Sequence, residues 1–207
     1  MREKTDLKSI GLFGGTFDPV HYAHTALAEA ALEELDLEKV IYVPAFIQPF
    51  KRDRYVTSDQ HRISMLERAL NQYDKMEISL FEIEKGGISY TYDTYCYFKG
   101  LLSDYKLWFL MGTDSLMKLE GWYKGKELLK ECCFAVGSRP DSNHDELIRI
   151  KEYLNKEYNT EIYLINKKML PLSSTMVREL LLEDKPISGM VAPSVEEYIY
   201  EHRLYKD

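Results

Sequence analysis

Ile10-Gly11-Leu12-Phe13-Gly14-Gly15-Thr16-Phe17-Asp18-Pro19-Val20-His21-Tyr22-Ala23-His24 runs from an apolar strand through a glycine pair into a helix start. Two glycines let the backbone turn tightly and approach a ligand closely, and a helix that starts near Pro19 aims its unpaired N–H groups back at the turn. The result is an anion pocket. His21 and His24, three apart in the first turn of that helix, lie on one face with Cβ atoms about 5–6 Å apart, and both rings can donate to phosphate oxygens. Taken singly, a Gly-Gly pair is a turn and a His near a helix start is a cap or a surface residue. Strand, turn and helix together point to a bound phosphate.

Working outward, apolar runs rich in strand formers recur at Ser9–Phe13, Val40–Val43, Ile78–Ile83, Leu107–Met111, Phe134–Gly137 and Ile162–Ile165. Helical patterns separate them at Thr25–Leu35, Asp59–Leu70, Tyr92–Leu102, Lys126–Lys130 and Glu146–Tyr158. This alternation predicts an α/β fold, a doubly wound and mainly parallel sheet with helices on both faces. Ligands on such sheets sit at the carboxyl ends of the strands. Thr57-x-x-Gln60 and Ser194-x-x-Glu197 have capping-box spacing and predict helix starts there. The loop from Pro44 to Val56, with Lys51, Arg52 and Arg54, is long enough to suggest function, whereas Arg139 to His144 reads as a polar surface loop. No internal repeat or low-complexity linker is visible.

The 207 residues suit one domain with one sizeable core, spanning 1–207. With 45% hydrophobic and 29% charged residues, the composition is that of an ordinary globular protein. No apolar run reaches membrane-spanning length and the Met-Arg-Glu-Lys start has no signal-peptide core, so a cytoplasmic protein without membrane partners is expected. A formal net charge of −7 argues against nucleic acid as a partner. Cys96, Cys132 and Cys133 have neither disulfide-framework nor metal-ligand spacing and read as reduced packing residues, with no protein-held metal. The sixteen tyrosines are scattered and read as half-buried packing and surface residues.

The glycine turn fits neither of two common phosphate-loop schemes. Gly11-Leu12-Phe13-Gly14-Gly15 is not G-x-G-x-x-G, the second strand ends Tyr42-Val43-Pro44 without an acid for a ribose, and G-x-x-x-x-G-K-[ST] is absent. A third scheme fits. GGTFDPVHYAH resembles the T/H-x-G-H signature of the adenylyltransferases and cytidylyltransferases, and Leu172-Ser173-Ser174-Thr175-Met176-Val177-Arg178 is similar to their I-S-S-T-x-I-R element. Gly86-Gly87-Ile88-Ser89-Tyr90-Thr91-Tyr92-Asp93-Thr94 and Gly112-Thr113-Asp114 with Trp122 resemble segments of the bacterial nicotinate-mononucleotide adenylyltransferases. With Pro44, Pro49-x-Lys51 and the ending Tyr198-Ile199 to Leu204-Tyr205, the resemblance spans essentially the whole chain in order.

That resemblance implies adenylyl transfer from ATP to nicotinate mononucleotide, with release of pyrophosphate and no covalent enzyme intermediate. It implies His21 and His24 as donors to the α-phosphate, with Gly14, Gly15, Thr16 and Phe17 as the turn that cradles it. Ser173, Ser174 and Thr175 would meet phosphate at a helix N-terminus, and Lys51 and Arg178 would neutralise the departing pyrophosphate. Arg139, before Pro140, resembles an R-P element of the phosphate site, although Asp141 stands where a glycine is usual. Trp122 would stack on the pyridine ring, the N–H groups around Tyr90 and Thr91 would bind the nicotinate carboxylate, and Asp114 would accept from a ribose hydroxyl. Mg²⁺ would arrive with ATP.

Two positions depart from the pattern. Gln48-Pro49-Phe50-Lys51 replaces the usual P-P-H-K, and Ala23 replaces the glycine between the histidines. These departures leave two alternatives open: a nucleotidyltransferase for another acceptor, such as the amide mononucleotide or phosphopantetheine, or a weakly catalytic nucleotide-binding module that regulates a partner. Retention of His21, His24, Lys51 and Arg178 counts against the module.

Overall fold

A computed structural model describes residues 7–49, 56–138 and 143–206. Six strands form one sheet: β1 (Ser9–Gly15), β2 (Leu37–Pro44), β3 (Met76–Ile78), β4 (Lys106–Gly112), β5 (Cys133–Gly137) and β6 (Glu161–Leu164). Their order is β3-β2-β1-β4-β5-β6 and every pairing is parallel. The chain leaves β1 toward one edge for β2 and β3, then returns to its other side for β4 to β6. The carboxyl ends of β1 and β4 therefore flank the crevice where a doubly wound sheet binds its ligand.

Alternation along the strands explains the two-sided core. Trp108 and Leu110 of β4 join Phe13, Val40 and Tyr42 on one face, against α1 (Tyr22–Glu34), α2 (Asp59–Leu70), α8 (Ser174–Leu182) and α9 (Pro193–Glu201). Leu107, Phe109 and Met111 join Leu12, Ile41 and Phe134 on the other, against α4 (Thr91–Leu101), α6 (Gly125–Glu131) and α7 (His144–Tyr158). Each such side chain contributes about 1.5–3 kcal/mol by leaving water.

Several element boundaries differ from the sequence reading. The strand expected at Ile78–Ile83 is Met76–Ile78, an edge strand paired over three residues, and Phe81–Lys85 is a short helix, α3. Phe81 and Ile83 alternate as in a strand, but a helix of one turn has no period by which to be distinguished. The first helix begins at Tyr22 rather than Pro19, because His21 is extended (φ −145°, ψ 168°) and forms the N-cap. Ser58, not Thr57, caps α2 by accepting the His61 N–H, while the Thr57 N–H is taken by Asp18 Oδ2 at 3.2 Å. Pro193 opens α9 behind Ala192, and Ser194 Oγ instead donates to the Arg68 carbonyl. Cys132 is buried and Cys133 half-buried as packing residues, but Cys96 is exposed on α4.

Candidate active site

A cavity of about 420 Å³ opens at the carboxyl ends of β1, β4 and β5, lined there by Gly14, Gly15, Gly112 and Gly137. The glycine pair is still strand; the tight turn is made two residues later, where Phe17 takes a left-handed conformation at φ 51°. That conformation costs a non-glycine residue about 1–2 kcal/mol. Packing offsets it, since the Phe17 ring is 2% exposed and meets Phe13, His24 and Tyr42 edge-on or tilted at 5.0–5.5 Å. The same ring explains Gly15, whose added Cβ would stand 2.9 Å from Phe17 Cζ.

Beyond the turn, His21 and His24 stack with ring centroids 3.7 Å apart and planes at 24°. His24 Nδ1 accepts the His21 N–H at 3.2 Å, so the neutral ring carries its proton on Nε2. His21, Ala23 and His24 all line the cavity. Ser173, Ser174, Thr175 and Arg178 line it from the start of α8. Their hydroxyls also serve the fold: Ser173 Oγ caps Met176 N–H at 3.1 Å and Ser174 Oγ donates to the Pro19 carbonyl at 2.9 Å. Arg178 is not wholly available for a ligand either, since Nη1 donates to the Asp18 carbonyl at 2.6 Å and Nη2 to Thr175 Oγ1 at 3.4 Å. These bonds lock α8 to the phosphate turn.

Electrostatics at the helix ends single out two helices. Among the described helices of eight or more residues, α2, α4, α7 and α9 carry an acid in the first turn, as the positive end of a helix favours. Only α1 and α8 carry none. Both ends open on the cavity, where the N-terminal N–H groups and dipoles suit an external anion.

Tyr90, Thr91 and Trp122 also line the cavity. Tyr90 is the N-cap of α4 and provides no side-chain cap, leaving the first-turn N–H groups without that oxygen. Trp122 is half-buried, with one part in the core cluster of that sheet face and another in the cavity wall. Asp114 is exposed on α5 (Thr113–Leu116), and the wall beside it is formed by Gly112 and Ser115. Lys51 and Arg139 lie outside the described residues, as does Phe50.

Sequence reasoning missed three supporting residues. Arg62 of α2 is fully buried beneath the turn, donating to the carbonyls of Thr57 (3.2 Å), Thr16 (2.8 Å) and Ala45 (2.7 Å) and pairing with Asp59. An arginine in an amphipathic pattern reads as surface, so only the structure reveals this clip. Tyr205 reaches back from the chain end to Asp18 Oδ1 at 2.6 Å, and burial raises its phenol above the usual tyrosine range. Glu82 of α3 lines the cavity at 6% exposure; burial raises its carboxyl above the usual range, although Thr94 and Ser89 donate to it.

Comparison with known proteins agrees with this geometry. The family model described as cytidylyltransferase-like matches residues 12–180. The "Probable nicotinate-nucleotide adenylyltransferase" of Clostridium beijerinckii is 38% identical over 204 residues, covering 97% of this chain and all of that one. Its counterpart of the same name in Carboxydothermus hydrogenoformans is 36% identical over 197 residues, covering 95% and 98%. The solved Plasmodium falciparum nicotinic acid mononucleotide adenylyltransferase complexed with NaAD superposes with a TM-score of 0.78 at 24% identity, covering 96% and 97% of the two chains, which shows a shared fold. The chain belongs to the cytidylyltransferase-like family and, within it, to the nicotinate-nucleotide adenylyltransferases.

Proposed function

We propose that the chain transfers the adenylyl group of ATP to nicotinate mononucleotide, giving the deamido dinucleotide and pyrophosphate in NAD biosynthesis. The observation that carries this reading is the pair of acid-free helix starts, α1 and α8, facing one cavity with two stacked imidazoles between them and the turn. The relatives' names supply the acceptor.

A phosphate oxygen of the mononucleotide attacks the α-phosphorus of ATP; that P–O bond forms as the bond from the α-phosphorus to the αβ-bridging oxygen breaks. The electron pair leaves on pyrophosphate. Such a reaction asks the protein for positioning and charge stabilisation. His24 Nε2–H and His21 donate to α-phosphate oxygens as charge builds there, and Gly14 to Phe17 keep the backbone close. Arg178, Ser173, Ser174 and Thr175 hold the leaving phosphates at the α8 terminus, joined by Lys51 and Arg139. Trp122 stacks on the pyridine ring, Asp114 accepts from a ribose hydroxyl, and the Tyr90–Thr91 turn binds the nicotinate carboxylate. Among the described residues no group of three or more His, Cys, Asp or Glu side chains converges to hold a metal ion. Mg²⁺ would ride on triphosphate oxygens and water and shield their charge.

The whole chain works as one domain around one sheet, and we place it in the cytoplasm. No helix of the described residues is long and apolar enough to cross a membrane. Pyrophosphate release with ATP and Mg²⁺ tests the reading, comparing nicotinate mononucleotide, its amide and phosphopantetheine as acceptors. Turnover fastest with the acid mononucleotide is expected. Turnover with phosphopantetheine alone, or none with any acceptor, overturns it.

A further inference from the structure

Glu82 has no part in the mechanism above, yet it is a carboxylate set into the cavity wall with 6% of its surface exposed. Taking a carboxylate out of water costs several kcal/mol unless partners replace the lost hydration. Two hydroxyls do so, those of Thr94 and Ser89. They flank the first turn of α4, Ser89 just before the Tyr90 cap and Thr94 one turn in. Ser89 Oγ also accepts the Phe46 N–H at 2.9 Å, so its own proton is left for Glu82. Thr94 is 1% exposed, and its hydroxyl lies 3.3 Å from the Tyr90 carbonyl as a second acceptor. One proton cannot serve both acceptors, and Glu82 holds the shorter contact. Without Glu82 the hydroxyl would turn back on the cap carbonyl, which already accepts the N–H groups of Asp93 (3.0 Å) and Thr94 (3.2 Å).

We propose that Glu82 is a positioning residue for the acceptor: by holding Ser89 and Thr94 it fixes the Tyr90–Thr91 turn that faces the cavity, and so sets affinity for the mononucleotide. The inference rests on the nicotinate mononucleotide reading above. Glu82 acts through the turn that, in the reading above, holds the mononucleotide. Its hydrogen bonds go to that turn, whereas Arg62 beneath the phosphate turn meets it only through charge, so loss of Glu82 should be felt far more by the mononucleotide than by ATP.

The test measures KM for each substrate in E82A, E82Q and T94V, beside thermal unfolding of each protein. T94V and E82A are expected to raise KM for nicotinate mononucleotide about tenfold, the effect of one well-placed hydrogen bond, with KM for ATP within about twofold. E82Q, which keeps an acceptor for Thr94, should recover part of that loss. The E82A/T94V double variant should be no worse than the poorer single one, because both remove the same link. Should E82A fail to fold, the near-isosteric E82Q and T94V carry the test. If both KM values rise together, or if well-folded T94V and E82Q leave KM for the mononucleotide unchanged, the inference is overturned while the function stands. A wild-type protein that releases no pyrophosphate with the mononucleotide overturns both.

Discussion

His24 is fixed from several sides: its Nδ1 takes the His21 N–H, its ring stacks on His21 and meets the edge of Phe17, and its carbonyl accepts Tyr42 Oη at 3.3 Å. Nε2 is the ring nitrogen that carries the proton, and the surrounding contacts orient it. Removing a pre-oriented transition-state donor typically costs about 10²–10³-fold in turnover. We therefore expect His24→Ala to lower kcat by about 10²-fold or more, with far-UV circular dichroism unchanged. An unaltered kcat would remove His24 from the reaction. Trp122 offers a contrasting case, because it serves core and cavity at once. Trp122→Ala should weaken mononucleotide binding while sparing ATP, and calorimetric titration of each ligand separates that outcome from equal loss of both, which would mark a packing role alone. At this scale the sequence disclosed which residues meet but not how they are held. Both histidines, the hydroxyl run and Trp122 were legible as types in a pattern. Arg62 and Glu82 were not, because a charge in a short or amphipathic helix reads as solvated until its burial is seen.

Elements carry the electrostatic logic further. The acid-free start of α8 is unfavourable for the helix taken alone, since a carboxylate there would add about 0.3–1 kcal/mol. Thr175→Asp should accordingly hold or raise the melting temperature while raising KM for ATP about tenfold or more, because the new charge repels phosphate and pairs with Arg178. A fall in stability without a change in KM would contradict the anion role of this helix end. At its opposite end α1 is tied down by Glu34, which accepts the N–H groups of Asn166 (2.9 Å) and Lys167 (3.0 Å) beyond β6. Burial pushes that carboxyl up, but these donors, with Asn166 Nδ2 and Tyr163, outweigh it and leave it below its ordinary value. A depressed carboxyl stabilises the fold above its unfolded pKa, and the contribution is lost as pH falls through the folded value. Glu34→Gln should cost about 1 kcal/mol at pH 7 and almost nothing once the pH is below that folded value, as urea unfolding at several pH values would reveal. Element order was legible because six apolar runs alternate with amphipathic ones. The exceptions were β3 and α3, where three paired residues and a single helical turn leave no periodicity to read.

Across the whole molecule, the C-terminal segment returns to the phosphate turn. Tyr205, three residues beyond the His202 C-cap of α9, donates to Asp18 Oδ1, while Asp18 Oδ2 takes the Thr57 N–H and its carbonyl takes Arg178. Asp18 is 4% exposed, so its carboxylate depends on these donors in place of water. The turn is thus anchored by α8, by the approach to α2 and by the segment around Tyr205. Removing one partner of a buried hydrogen bond to a charged group costs about 1–3 kcal/mol. Tyr205→Phe keeps the ring in its core contact but leaves Asp18 short of a donor. We expect the variant to lose about 1–3 kcal/mol in equilibrium unfolding and to bind ATP several-fold more weakly, since the turn that cradles the α-phosphate loses one of its ties. Mononucleotide binding should change less, because the Tyr90–Thr91 turn hangs from α3 and the opposite sheet face. If Tyr205→Phe weakens both ligands alike, the two halves of the cavity are mechanically joined, and the separation of its ATP and mononucleotide ends fails at the level of the whole fold.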